Sequence, residues 1–262
     1  VDNNDDGDFE SFAFNFDGAG HTIYNLKSET YLEEGEGSEG LAWDNKSQNA
    51  GLFGVFNGEL KNLTVDGAEI YGSRSGVLVG RLDGGSIVNC HVRNAVITGG
   101  AQKMGLLVGY VNNGSFSPLI IDGNTVEDSE VRSDANPPQG DGTCMTGGLV
   151  GYLQAMTYDA VISNNTMRNV TVVSGGVWDE HAECASHVFV GNIVNISNSS
   201  EIHTIEFMNN TIENSRVENA KVQESATDYY GFAYESLQGN YNILNEVVID
   251  GRVMITGQIK NQ

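Results

Sequence analysis

Six stretches of the chain share one alternation of apolar and polar positions and align without gaps: LKNLTVDGAEI (60–70), IVNCHVRNAVI (87–97), IDGNTVEDSEV (121–131), ISNNTMRNVTV (162–172), FMNNTIENSRV (207–217) and ILNEVVIDGRV (243–253). Each opens on an apolar residue. Two places on stand Asn62, Asn89, Gly123, Asn164, Asn209 and Asn245. Three further on come Val65, Val92, Val126, Met167, Ile212 and Val248, and five beyond those Ile70, Ile97, Val131, Val172, Val217 and Val253. Every residue of the last two columns is apolar. The column between them reads Gly67, Asn94, Asp128, Asn169, Asn214 and Asp250, side chains that tolerate bends and bond locally to backbone. The apolar spacing does not follow a 3.6-residue period and the residues are strand formers, so the units predict short strands bounded by turns.

Units that recur every 27 to 45 residues bury their apolar faces only by stacking on one another. The pattern therefore predicts an all-β, single-stranded, right-handed parallel β-helix of six to seven coils with long loops, one domain over residues 1–262. A second series precedes the first: GLFG (51–54), GVLVG (76–80), GLLVG (105–109), GGLVG (147–151), HVFVG (187–191) and YGFAY (230–234). It reads as a second strand in each coil. The residues directly after Val65, Val92, Val126, Met167 and Ile212, namely Asp66, Arg93, Glu127, Arg168 and Glu213, alternate in sign. Stacked parallel strands would set them roughly 4.8 Å apart as an outer charge ladder.

Composition agrees with this picture. With 33 Gly, 3 Pro, 39% hydrophobic and 18% charged residues, the chain is folded and rich in tight turns. Thirty-five acids against 13 bases give a formal net charge of −22, a field that repels nucleic acid and anionic membrane surfaces. No apolar run is long enough to span a bilayer. Three cysteines are too few for a disulfide framework, but Cys144 and Cys184 each lie seven residues before a motif glycine, so stacking would bring them to the distance a disulfide needs.

Laid out in these columns, the sequence resembles the bacterial GLUG-motif repeat proteins found on surface and secreted proteins of Bacteroides-like bacteria. FNFDGAGHTIYNL (14–26) and GLFGVFNGELKNLTV (51–65) carry the resemblance, and it weakens toward HVFVG and YGFAY, where glycines are lost. It implies an extracellular β-helical module described as an adhesin, and transfers no catalytic residue.

Candidate chemistry lies outside the repeat. In WDEHAECASH (178–187), His181, Cys184 and His187 are ligand-type side chains for a transition metal, in a stretch that reads as a long loop. DNNDDGDFESFA offers Asp2, Asn4 and Asp6 as the first half of a calcium loop, without the closing Glu, since Ala13 stands there. The expectation is therefore no cofactor, or calcium alone at this half-loop. His21 in GAGHTI reads as a packing or capping residue. Aromatic side chains on loops, Trp43, Trp178, Tyr158, Tyr229, Tyr230 and Tyr241, are what a glycan or protein binder would use. These observations lead to a non-enzymatic cell-surface or secreted module that presents loops 32–50, 132–147 and 173–187 to a glycan or protein partner. The rival expectations are a β-helical carbohydrate-active enzyme, with two or three acids on adjacent coils, and a purely structural spacer.

Overall fold

The computed structural model describes residues 12–29, 49–72, 74–100, 103–113, 118–134, 144–155, 158–174, 184–187, 189–195, 203–219, 241–249, 252–253 and 259–260. These residues form three sheets, of 17, six and five strands, parallel throughout except where Arg252–Val253 and Ile259–Lys260 pair antiparallel with Tyr241–Ile249. The chain visits them in turn. From Arg74–Ser75 in the five-stranded sheet it passes into Val79–Val88, then His91–Arg93 in the large sheet, Val96–Gly100 in the six-stranded sheet, and returns to Lys103–Gly105 beside Arg74–Ser75. That circuit, repeated with parallel pairing between successive turns, is a parallel β-helix.

The first five repeats stack in the register their alignment requires. Leu60, Ile87, Ile121, Ile162 and Phe207 are successive partners, as are Val65, Val92, Val126, Met167 and Ile212, and Ile70, Ile97, Val131, Val172 and Val217. The first two columns are buried throughout and fill the core. A β-branched residue suits this place because it packs against its own counterpart one coil away.

Each repeat turns two corners, and at each the chain enters the left-handed region. Asn62, Asn89, Asn164 and Asn209 have φ of 53 to 56°, and Asn94, Asp128, Asn169 and Asn214 have φ of 47 to 54°. Gly123 and Gly67 fill the remaining places with φ of 67 and 79°. A β-branched side chain there would be strained by roughly 1–2 kcal/mol per residue, whereas Asn and Asp tolerate the conformation. The corner amides still bond to the next coil: Asn62 N–H donates to Val88 O at 3.1 Å and Asn164 N–H to Met208 O at 2.9 Å.

Three expectations are corrected. The glycine segments are strand only in part: their last two residues open the next strand, as Val79 and Gly80 open Val79–Val88, and the residues before them form a corner. Val77 and Leu78, and Leu106 and Leu107, lie in bends between strands, their side chains wholly buried. Glycine is required here by close approach: a Cβ on Gly109 would sit 2.6 Å from the backbone N of Ser75, and one on Gly76 2.7 Å from that of Gly109. The five-stranded sheet was not foreseen, and it takes the C-terminal ends of what reads as loops 32–50, 132–147 and 173–187: Asn49–Ala50, Cys144–Gly147 and Cys184–His187 are strands. Its segments NA, RS, KMG, CMTG and CASH hold no β-branched pair, so they lack the composition of strands and form by pairing alone.

The sixth repeat is out of register. Ile243 pairs with Ile205 and Ile249 with Ile212, with a shift between Phe207 and Asn210, where the alignment places Ile243 on Phe207 and Val248 on Ile212. Val253 does not continue the six-stranded sheet but pairs antiparallel with Val248, and Arg252 with Ile249. The two residues between Ile249 and Arg252 are Asp-Gly, the pair that favours a tight hairpin over a further coil.

Candidate functional site

The outer charge column is a ladder, as its alternation suggests. Arg93 Nε donates to Asp66 Oδ2 at 2.9 Å, Arg168 Nη1 to Glu127 Oε2 at 3.4 Å and Arg168 Nε to Glu213 Oε2 at 2.8 Å, while His91 Nε2 meets Glu127 Oε1 at 2.8 Å. The corner asparagines extend this between coils: Asn94 Nδ2 donates to Asp66 Oδ1 at 2.8 Å, Asn164 Nδ2 to Asp122 Oδ1 at 2.7 Å and Asn169 Nδ2 to Asp128 Oδ1 at 2.8 Å. At the first coil Asn62 Nδ2 and the Ala19 amide both donate to Asp17 Oδ1, at 3.0 and 2.8 Å. The Asn62 bond first, then that of Ala19, holds the Asp17 carboxyl below the usual carboxylate range; for Asp66 the Asn94 bond is the chief cause and the Arg93 charge adds to it. These acids stabilise the stack.

Most of the residues singled out from sequence lie outside the described residues: Trp43, Trp178, Tyr229, Tyr230, His181, Asp2, Asn4 and Asp6. Cys184 and His187 are the two ends of one four-residue strand, not parts of a loop, and Cys184 is the register partner of Cys144. Tyr241 opens the strand Tyr241–Ile249 opposite His203. Tyr158 is 36% exposed. His21 is exposed rather than packed, in a turn closed by its own amide donating to Gly18 O at 2.8 Å. Among the described residues no group of three or more His, Cys, Asp or Glu could hold a metal ion, and no helix is long and apolar enough to cross a membrane.

The site that the sequence did not suggest flanks the glycine corners. Two residues before the opening glycine stand Arg74 and Lys103, register partners in the five-stranded sheet. Directly after the closing glycine stand Arg81, Tyr110 and Tyr152, register partners in the large sheet. The corner folds these two columns together. Lys103 Nζ lies 4.3 Å from the Tyr110 ring centroid and 4.4 Å from that of Tyr152, and the guanidinium carbons of Arg74 and Arg81 lie 5.5 and 5.9 Å from Tyr110. The two rings are 5.7 Å apart, and the Tyr110 hydroxyl donates to Gln154 Oε1. Arg81 Nε donates to Asp83 Oδ1 at 2.6 Å.

Burial sets the electrostatics. Arg74 is 7% exposed, and Tyr110, Asp83 and Gln154 are 8% each. Desolvation, followed by the charges of Arg74 and Arg81, brings the Lys103 ammonium down to about 8. Desolvation likewise raises the Tyr110 phenol. The arrangement can hold an anionic oxygen by charge and hydrogen bonds. The legible signal was positional: R-S-G-V-L-V-G-R and K-M-G-L-L-V-G-Y carry cations at matching places in consecutive coils.

Compared with protein-family models, curated proteins and solved structures, the chain gives no match.

Proposed function

We propose that the chain is a non-enzymatic β-helical module of a cell-surface or secreted protein, of the GLUG-motif kind, that binds a glycan or a protein partner. One observation carries this reading: the described acids that recur along the stack are bonded from coil to coil, Asp17 to Asn62, Asp66 to Arg93 and Asn94, Asp122 to Ser163 and Asn164, Glu127 and Glu213 to Arg168. Acid–base catalysis on a glycosidic bond needs two carboxyls with separated duties, one of them kept protonated by a raised pKa. Asp17 and Asp66 are shifted the other way. A rigid stack with irregular insertions is suited to display, and binding residues gather on loops held by such a scaffold.

A glycan array read beside a reducing-sugar assay on polysaccharides tests the proposal. Binding without release is expected. Release of oligosaccharide overturns the non-enzymatic reading, and binding that survives in Trp178→Ala removes that loop from the contact surface.

A further inference from the structure

We propose that the N-terminal end of the β-helix is a self-association surface, on which a second copy of this chain stacks about a two-fold axis, first coil against first coil. The proposal stands on the packing of the stack and is independent of the glycan or protein that the module binds.

A solenoid covers the apolar interior of each coil with the next coil, so an end coil without a polar outer side leaves apolar surface in water. The first coil is such an end. Its strands Phe16–Asp17, Thr22–Tyr24, Lys27–Glu29 and Asn49–Ala50 pair, among the described residues, on one side only. The interior columns lose their burial there: Leu60, Val65 and Val79 are wholly buried, whereas their register partners toward this end, Phe16, Ile23 and Phe53, are half-buried. A chain of rings runs outward from the core. Buried Phe56 lies 4.9 Å from Phe53, Phe53 5.0 Å from Phe12 and Phe12 5.7 Å from Phe14, between centroids, and Phe12 and Phe14 are 38% and 72% exposed. The backbone fixes them. Phe12 N–H donates to Val55 O at 3.0 Å, Asn57 N–H donates to Phe12 O at 2.9 Å, and Glu59 N–H donates to Asn15 Oδ1 at 3.0 Å. A fixed, contiguous apolar surface of this kind is what the core of an interface uses.

Two observations choose a second copy and its orientation. The opposite end of the stack is closed to a further coil, because Arg252–Val253 and Ile259–Lys260 lie antiparallel along Tyr241–Ile249 where a stacking coil would pair parallel. Head-to-tail growth is thereby blocked, and first coil meeting first coil gives a closed dimer. The edge strand Lys27–Glu29 also complements itself. A two-fold axis through Ser28 sets two copies of it antiparallel, with Lys27 of each copy opposite Glu29 of the other. Lys27 Nζ keeps its bond to Glu69 Oε2 at 2.8 Å on the side of the second coil. The net charge of −22 opposes association, but that repulsion is screened beyond about 8 Å at physiological ionic strength while the apolar contact is not. Salt should therefore tighten the dimer. A dimer also presents each ligand-binding loop twice, which raises avidity for a repetitive surface.

Sedimentation velocity of the full chain over a range of concentrations tests this. A monomer–dimer equilibrium is expected, reaching twice the chain mass of 28.1 kDa and tightening as sodium chloride rises from ~20 to ~500 mM. Phe14→Ser removes a ring that stands mostly in water, so it should leave the melting temperature of the monomer unchanged and weaken the dimer by about tenfold or more. Lys27→Glu should weaken the dimer, and combining it with Glu29→Lys should restore it, a rescue that the two-fold pairing requires. A monomer at every concentration overturns the proposal and assigns the open end to another occupant. Mass that grows past the dimer overturns the two-fold arrangement in favour of open stacking. A dimer that Phe14→Ser leaves as tight as the parent overturns this end as the contact.

Discussion

Asn124 and Asn165 stack inside the core: Asn124 Nδ2 donates to Asn165 Oδ1 at 3.0 Å, and both residues are wholly buried. Asn210 continues the row, accepting from Asn165 Nδ2 at 2.9 Å. Each Oδ1 also accepts the backbone N–H of the preceding coil, and each Nδ2 reaches a carbonyl there: Ile87 from Asn124, Ile121 from Asn165 and Ile162 from Asn210. One amide thus satisfies groups that the corner would leave unpaired. Asn165→Ala should destabilise the fold by about 2–4 kcal/mol, because it orphans a buried amide and a buried carbonyl together. Chemical denaturation checks this; a loss under about 1 kcal/mol would mean that water replaces the ladder.

The core and the outer ladder should respond very differently to substitution. Val92 is wholly buried between Val65 and Val126, so Val92→Asp should cost several kcal/mol, on the order of 3 or more, through a buried unpaired charge. Its neighbour Arg93 lies on the outer face in a partly exposed pair with Asp66, and Arg93→Ala should change stability by about 1 kcal/mol or less. Equal effects at the two positions would show the inward and outward faces to be misassigned.

Thiol chemistry reads the register directly. Cys144 and Cys184 are Cα partners in adjacent parallel strands, a separation of roughly 4.8 Å that lies within the range a disulfide spans. Mild oxidation of the folded chain should join them, giving one intramolecular crosslink by peptide mapping. Cys90 is buried and desolvation pushes its thiol up to about 11, so it should stay unmodified until the protein unfolds. A crosslink that includes Cys90 would contradict the stacking.

Stability should depend on pH at both ends. Asp17 and Asp66 are depressed in the fold, so what they contribute is present above the unfolded carboxylate value of about 3.9 and is lost as pH falls through their lower folded values. Lys103 is depressed from 10.5 to about 8, so the cost of its buried charge is complete below 8 and is relieved as pH rises toward 10.5, where the unfolded chain holds the extra proton. The relief is on the order of 3 kcal/mol. Thermal melts at pH 8 to 10 should show the parent gaining on Lys103→Met; parallel curves would contradict the buried ammonium.

The repeat made most of the architecture legible, because stacking demands the same residue type at the same place in every coil. Five units could be aligned to the residue, and the Asn and Gly columns marked the corners because few other side chains accept a positive φ. The five-stranded sheet escaped because its strands are short and small or polar, taking their form from the neighbouring coil. The inner row Asn124, Asn165 and Asn210 escaped because its first members are Leu63 and Cys90, which break the column. The Arg74–Lys103–Tyr110 cluster was hidden for another reason: its two columns lie on opposite sides of a glycine corner, and only the fold brings them together.

Affinity electrophoresis of the folded chain through gels containing largely neutral surface polysaccharides, with the polysaccharide sized afterwards, tests the central claim most directly. The account predicts retardation by at least one polysaccharide, and polysaccharide of unchanged length. Shortened polysaccharide, or mobility in every case equal to that in a gel without polysaccharide, would contradict it.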